Sequence, residues 1–164
     1  MNRLALVLLA LFALAAPLAA KDSLGVFSGW AAFRDPAQPR CYAIAKPEPD
    51  RRPRELAAYA TVASWPTKQI RNQLHIRLSR KLAKGASISL RVGQRSFTLV
   101  GGGADAWASD AAMDAAIVAA MRSAARMSVR ASDANGRRFS DSYLLAGAAT
   151  AIDAATLACA RKRR

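Results

Sequence analysis

The sequence predicts a mainly β protein, an antiparallel β-sandwich-like domain with two short helices. Roughly seven to nine short segments carry the alternating apolar pattern, or the aromatic and β-branched residues, that are typical of strands. These segments follow one another through turn signals, whereas a doubly wound parallel sheet needs a helix between successive strands. Neither an internal repeat nor a low-complexity linker divides the chain, so one domain is the simplest organisation.

The first half of the chain contains three predicted strands around a proline-rich loop. Phe27–Phe33 is predicted as the first strand and Cys41–Ala45 as the second. Residues 46–54 hold three prolines among charged residues. Because proline fixes φ and lacks a backbone donor, we expect an exposed loop there, either a functional one or a solvated connector. Tyr59–Trp65 is the third predicted strand, and Pro66 ends it.

The middle of the chain shows the clearest alternation of apolar and polar residues. Strands are predicted at Leu74–Ser79, Ser87–Val92 and Arg95–Val100. The last two flank Gly93-Gln94, and glycine at the first position of a two-residue turn favours a type II′ hairpin. The residues expected to face the core are Leu74, Ile76, Leu78, Ile88, Leu90, Val92, Phe97 and Leu99.

The second half of the chain contains both predicted helices. Ala104–Trp107 is expected to be a short strand, after which Ser109 or Asp110 caps a helix that runs to about Ala125. Asp114 lies in the first turn of this helix, where a negative charge is favoured.

A hairpin and a final helix complete the predicted fold. Strands at Met127–Ala131 and Phe139–Leu145 flank the turn signal Asn135-Gly136. The last helix begins near Thr150. Its apolar stripe is Ile152, Ala155 and Cys159.

Residues 1–20 predict a secretory signal peptide. A positive start precedes an apolar run over residues 4–16, which is shorter than the ~20 residues of a membrane-spanning helix, and small residues follow. We expect cleavage after Ala20, with Ala15 as the second choice; an uncleaved N-terminal anchor is the alternative. Residues 21–164 then form a single β-rich exported domain, in the periplasm or outside the cell.

Two cysteines, Cys41 and Cys159, lie near the two ends of this predicted exported domain. An exported protein meets an oxidising space, where pairing of cysteines is the usual outcome. We therefore expect a disulfide that closes most of the domain into one loop. Two buried free thiols are the alternative.

The chain carries a large positive charge, since 25 lysines and arginines against 11 aspartates and glutamates give +14. Such a charge attracts anionic partners such as lipopolysaccharide, anionic lipid, nucleic acid or acidic proteins. Nucleic acid is disfavoured because aromatic residues are not interleaved with the bases and because we expect export. Solvated charge that only keeps the protein soluble is the alternative interpretation. The candidate contacts for an anionic surface are Arg51, Arg52, Arg54, Lys68, Arg71, Arg77, Arg80, Lys81 and Lys84.

The sequence contains no pattern that predicts catalysis. His75, the single histidine, lies on the polar face of a predicted strand, and no G-x-S-x-G elbow occurs. Metal sites need clustered ligands, whereas the histidine and the cysteines are far apart in sequence. Asp105, Asp110 and Asp114 form an acidic cluster that capping of a helix explains better than a catalytic carboxylate pair. We therefore expect no catalytic residue, no cofactor and no metal.

Four segments of the chain form a recognisable set when they are taken in order. Gly25–Trp30 has the pattern G-x-F-x-D/G-W, and Cys41-Tyr42-Ala43 is a short cysteine-bearing strand. Residues 116–124 with 127–129 form a helix followed by a strand, and residues 139–149 are similar to S-L-x-G-F-x-x-A. In this order they resemble the invasion-associated locus B family of alphaproteobacteria.

This resemblance implies an exported, β-rich, sandwich-like protein that is associated with the cell envelope and, in pathogens, with host-cell invasion. No catalytic activity is established for the family. Its members commonly carry a further cysteine where this sequence has Phe33-Arg34, so Cys41 has no possible partner here other than Cys159.

Three functional hypotheses follow from the sequence. The first is a non-enzymatic periplasmic or secreted protein that binds an anionic envelope component or a protein partner through a basic surface; peripheral membrane association is compatible with it. The second is an envelope hydrolase of unknown substrate, which needs convergent polar groups in a pocket. The third is a structural or inhibitor-like module that caps another protein.

Overall fold

The computed structural model describes residues 20–160 of the chain. Residues 1–19, which belong to the predicted signal peptide, and the basic residues 161–164 lie outside the described residues. The elements are β1 (Asp22–Phe27), β2 (Trp30–Asp35), β3 (Arg40–Ala45), β4 (Tyr59–Trp65), β5 (Ile70–Arg77), β6 (Ile88–Val92), β7 (Arg95–Gly102), β8 (Asp105–Trp107), α1 (Ala111–Met121), β9 (Arg126–Ser132), β10 (Arg138–Leu144) and α2 (Ala148–Ala160).

The strands form one antiparallel sheet, in the order β1-β2-β3-β4-β5-β8-β7-β6-β9-β10. The mainly β fold class with two helices is confirmed, with ten strands over residues 20–160 where about seven to nine were expected.

The prediction of one first strand over Phe27–Phe33 is wrong. Ser28-Gly29 forms a two-residue turn in which Ser28 adopts a φ of 53°, and Phe27 pairs with Trp30 across it. The strand β1 has no fully buried residue, so pairing with β2 rather than an apolar pattern determines it.

The alternation in β5, β6 and β7 places the expected residues in the core. Leu74, Ile76 and Leu78 are fully buried, and Phe97 is half-buried. The hairpin turn at Gly93-Gln94 is confirmed, because Gly93 has a φ of 56° and Val92 pairs directly with Arg95. The other expected core residues that are buried are Ile88, Leu90, Val92 and Leu99.

The sheet rolls, so that its two ends meet around one core. The indole Nε1 of Trp30 in β2 donates a hydrogen bond of 2.9 Å to the carbonyl of Leu144, at the end of β10. The backbone N–H of Glu48 donates one of 2.7 Å to the carbonyl of Ser142. Buried residues from both halves of the sheet and from both helices form a single cluster.

The helices close the two open sides of the rolled sheet. The helix α1 packs on β5, β6 and β7, and α2 packs on β1 to β4. Asp110 caps α1 by accepting a hydrogen bond of 2.8 Å from the backbone N–H of Met113. Asp114 is buried and accepts one of 2.8 Å from the backbone N–H of Leu74, so it joins α1 to β5.

The disulfide between Cys41 and Cys159 is confirmed and joins β3 to α2. The two Cα atoms lie 5.8 Å apart, and the cysteines are separated by 118 residues in the sequence. This bond holds the last helix on β3, so it closes most of the described chain into one loop.

We predict that reduction of this disulfide destabilises the domain by on the order of 4–5 kcal/mol, because the unfolded chain regains the entropy of a long loop. Urea unfolding with and without reductant measures this loss. The Cys41→Ser/Cys159→Ser variant serves as the control. Its unfolding midpoint should match that of the reduced protein and should not change when reductant is added. An unchanged midpoint with both thiols freely alkylated would contradict the prediction.

We predict that Asp114→Ala costs about 1–3 kcal/mol of folding free energy, because it leaves the buried N–H of Leu74 without an acceptor. Asp114→Asn should cost less, since its amide oxygen still accepts that bond.

Burial raises the pKa of Asp114, with the N–H of Leu74 opposing the shift. A raised pKa in the folded state means that this carboxyl favours folding below its ordinary pKa and loses that contribution as the pH rises. The stability of the native protein relative to Asp114→Asn should therefore fall in urea titrations as the pH rises above the ordinary pKa of about 3.8. A constant difference would contradict this assignment.

Candidate anion-binding surface

The outer face of one half of the sheet is rich in serine, threonine and arginine, with Val100 and Leu144 exposed at its margins. Alternation in β6, β7, β9 and β10 turns most apolar residues inward and these polar residues outward. The register then sets Ser89, Arg130 and Ser140 side by side. We call this surface the Ser/Arg face. Its residues are Ser89, Arg91, Ser96, Thr98, Ser128, Arg130, Ser132, Arg138, Ser140 and Ser142.

The Ser/Arg face holds no acidic residue because the carboxylates of the chain are engaged elsewhere. All 11 occur within the described residues, and each accepts a hydrogen bond from a backbone N–H or pairs with a guanidinium group. Four of them are buried and bind backbone N–H groups: Asp35 to Gln38, Asp114 to Leu74, Asp133 to Asn135 and Arg137, and Asp141 to Ser79.

The remaining carboxylates are held at or near the surface. Asp110 caps α1, and Asp50 accepts a hydrogen bond from the backbone N–H of Arg52. The others form the ion pairs Asp22–Arg34, Glu48–Arg126, Glu55–Arg80, Asp105–Arg77 and Asp153–Arg122.

Among residues 20–160, the surplus of basic side chains therefore has no carboxylate within 4.0 Å. Arginine stays protonated at any physiological pH, so these side chains attract anions from solution. Within the described residues this unpaired set is Lys21, Lys46, Arg51, Arg52, Lys68, Arg71, Lys81, Lys84, Arg91, Arg95, Arg130 and Arg138.

Three of these unpaired arginines line one open cavity of about 360 Å³ at the edge of the Ser/Arg face. Arg130 comes from β9, Arg138 from β10 and Arg52 from the loop over residues 46–54. We call this cavity the arginine pocket. Its other lining residues are Ser87, Ala131, Ser132, Phe139 and Ser140.

The proline-rich loop is attached to the sheet where it reaches the arginine pocket. Arg54 donates to the carbonyl of Glu48, and its Nε lies 3.6 Å from the buried carboxylate of Asp141 in β10. Asp141 also accepts a hydrogen bond of 2.9 Å from the backbone N–H of Ser79. A guanidinium nitrogen of Arg52 donates one of 3.4 Å to the carbonyl of Arg138. The loop is therefore tied to β10 at several points.

The structure distributes the nine basic residues that the sequence singled out over several surfaces. Arg54, Arg77 and Arg80 are engaged by Asp141, by Asp105, and by Glu55 with Asp133. Arg51 and Arg52 are exposed on the proline-rich loop, and Arg52 lines the arginine pocket. Lys81 and Lys84 are exposed on the segment that bonds to the end of β9.

Lys68 and Arg71 lie at the far end of β5, where the chain turns from β4. The eight residues of β5 span about 25 Å, so these two side chains do not join the others. Sequence reasoning did not select Arg91, Arg130 or Arg138. The available signal was serine or arginine at most of the alternate positions of β6, β9 and β10.

The other half of the outer surface is aromatic. The imidazole of His75 stacks on Trp107, with ring centroids 5.2 Å apart, and meets the edge of Tyr59. The guanidinium group of Arg40 lies 4.6 Å from the ring of Tyr42. A cavity of about 210 Å³ lies beside His75. This half differs in composition from the Ser/Arg face.

The contacts of His75 do not assemble a nucleophile with a base. Its Nε2 lies 2.9 Å from Asp105, which also binds Arg77 at 2.5 Å. Among the described residues, no hydroxyl or thiol hydrogen-bonds to the imidazole, and both cysteines are in the disulfide.

No group of three or more His, Cys, Asp or Glu in residues 20–160 could hold a metal ion. Neither α1 nor α2, the helices of the described range, is long and apolar enough to cross a membrane.

Comparison with known proteins identifies a family for this chain. The family model described as Invasion associated locus B (IalB) protein matches residues 31–156. No curated protein and no solved structure matches the chain. The matched region runs from β2 into α2 and so contains both halves of the rolled sheet, the helix α1 and the arginine pocket. Because the match covers most of the sequence, the chain belongs to the Invasion associated locus B (IalB) family.

Proposed function

We propose that this protein is exported and acts without catalysis, by binding an anionic component of the cell envelope through the Ser/Arg face. The observation that carries the proposal is the contrast between the acidic and the basic side chains of the described residues. Every Asp and Glu side chain is engaged within the fold, whereas Arg91, Arg130 and Arg138 stand on one sheet face with no carboxylate of residues 20–160 within 4.0 Å.

The Ser/Arg face suits an extended anionic surface better than a small neutral ligand. Guanidinium groups donate several hydrogen bonds in a fixed plane, and the neighbouring serine hydroxyls add donors that match phosphate or sulfate oxygens. These side chains are largely exposed, so a partner in solution can reach them directly. Their long-range field also raises the rate of encounter with anionic partners.

Export is supported by the predicted signal peptide and by the disulfide. A disulfide that closes the domain is typical of proteins outside the cytoplasm. We place the protein in the periplasm or outside the cell, where anionic lipid and glycolipid surfaces are present. Peripheral association with such a surface needs no membrane-spanning segment.

The contacts of the serines support binding rather than hydrolysis. The serines of the Ser/Arg face lie on the half of the sheet opposite to His75, so none of them meets an imidazole base. A serine hydrolase that uses histidine as its base needs that contact. The Ser/Arg face instead presents donors and positive charge.

We predict that the protein is retained on phosphocellulose and on anionic vesicles at low salt and is released steeply as salt increases, because screening weakens exposed charges. The Arg91→Gln/Arg130→Gln/Arg138→Gln variant should lose at least about tenfold in affinity, as expected for charge-assisted hydrogen bonds. Sedimentation with vesicles over a salt series measures this.

The matched control for this experiment removes three unpaired charges from the aromatic half and from the turn at the far end of β5. Lys21→Gln/Lys68→Gln/Arg71→Gln has the same net charge as the first variant and should bind nearly as well as the native protein. Equal losses in both variants would mean that net charge alone drives retention. Salt-insensitive binding would remove the electrostatic basis of the proposal.

We also predict that the protein recovered from the periplasm or the medium has the mass of residues 21–164 less two hydrogen atoms. Cleavage after Ala20 removes the leader, and oxidation of Cys41 and Cys159 removes one hydrogen from each. Intact mass analysis with and without reductant checks both events. A full-length chain with two free thiols in the cytosol would contradict export.

A further inference from the structure

We propose that the arginine pocket is a phosphomonoester site, which takes the terminal phosphate of a phosphorylated sugar or lipid headgroup. This inference rests on the proposed function, since it names the chemical group that one part of the Ser/Arg face recognises. It concerns Arg52, Arg130 and Arg138, together with the hydroxyl groups of Ser132 and Ser140.

The geometry of the strands pairs each strand arginine with a serine on the neighbouring strand. Arg130 lies directly opposite Ser140, and Arg138 lies directly opposite Ser132. Arg130 and Arg138 are therefore diagonal neighbours across the two strands, and all four residues line the same cavity. Arg52 completes the third side from the proline-rich loop.

The electrostatics of the arginine pocket call for a multiply charged anion. Among residues 20–160, no carboxylate lines the cavity, and none lies within 4.0 Å of its three guanidinium groups. The acids nearest along the chain to these arginines are Asp50, Asp133 and Asp141, and each of them already accepts a hydrogen bond from a backbone N–H. A bound dianion relieves the mutual repulsion of the three like charges.

A phosphomonoester fits these donors better than a carboxylate or a sulfate ester. It presents three terminal oxygens to donors that converge from three sides, whereas a carboxylate presents two oxygens in one plane. It carries a charge close to −2 at pH 7, because its second pKa is about 6. A sulfate ester has the same shape with a single charge. The cavity volume lies at the lower end of the range for small-molecule sites, so a sugar ring can enter with the phosphate.

The loop residue of the arginine pocket is held before any ligand arrives. Asp50 accepts the backbone N–H of Arg52 at 3.1 Å, and the side chain of Arg52 donates to the carbonyl of Arg138. Arg54 and Asp141 attach the same loop to β10. Because the loop is already ordered, binding does not have to order it, and the conformational entropy cost is small.

The test uses the full mature protein and two probes that share a shape and differ in charge. Isothermal titration calorimetry in low-salt, phosphate-free buffer at pH 7 should show binding of glucose 6-phosphate that is clearly tighter than binding of glucose 6-sulfate. Affinity for the phosphate should rise several-fold from about pH 5 to pH 7, as its second proton leaves, while affinity for the sulfate stays level.

No group of the arginine pocket titrates in that pH range, since its charged residues are three arginines. Asp133, the buried acid in the turn between β9 and β10, stays ionised. Although its burial opposes the shift, hydrogen bonds from the backbone N–H groups of Arg137 and Asn135 lower the pKa of Asp133. The pH dependence therefore reports the charge of the ligand.

Two variants of equal charge separate the arginine pocket from the rest of the basic surface. Arg130→Gln/Arg138→Gln should lose at least about tenfold in affinity for glucose 6-phosphate. Lys68→Gln/Arg71→Gln removes two unpaired charges at the far end of β5, outside the cavity, and should stay within about threefold of the native protein. Thermal unfolding of both variants verifies that they are folded.

Vesicles identify the source of the phosphate. Phosphatidic acid carries a monoester and phosphatidylglycerol a diester, so a preference for phosphatidic acid that Arg130→Gln/Arg138→Gln abolishes assigns a lipid source. Binding of the sugar phosphate without that preference assigns a soluble source. Equal binding of phosphate and sulfate, or equal losses in the two variants, would overturn the phosphomonoester site while leaving salt-dependent retention, and hence the proposed function, intact.

Discussion

The organisation of this protein depends on where its few carboxylates are placed. Four are buried and accept hydrogen bonds from backbone N–H groups. For the buried N–H groups of Leu74 and Ser79, loss of the carboxylate acceptor would cost about 1–3 kcal/mol each. The others cap a helix, close a turn or pair with arginines. Because no acid remains uncommitted, the excess of basic residues has no internal partner and must face solvent.

The sheet decides which solvent-facing surface receives that charge. In β6, β9 and β10 the apolar residues occupy every second position, and serine or arginine occupies most of the positions between them. Rolling of the sheet turns the apolar set onto one common core and leaves the polar set outside. The result is an outer surface with two chemically different halves, one aromatic around His75 and one rich in serine and arginine.

The proline-rich loop links the interior of the fold to its candidate site. Its residue Arg54 reaches the buried Asp141, while Arg52, two residues earlier, extends over β10 toward Arg130 and Arg138. The same short segment therefore contributes one arginine to the stability of the fold and another to the arginine pocket. The loop is thus more than a solvated connector, the commoner outcome for such a segment, because the buried carboxylate anchors it.

The sequence by itself determined the local features of this protein: the alternating strands, the glycine turn at Gly93-Gln94, the cap at Asp110 and the disulfide, since each depends on residues that are close in sequence or on a single possible partner. Only the tertiary structure decided which arginines are engaged and which converge. Arg52 and Arg138 are 86 residues apart in the chain, yet they meet at one pocket, while Arg54 is drawn into an ion pair. Charge acts over distances in space, and those distances arise only when the sheet rolls and brings its two ends together.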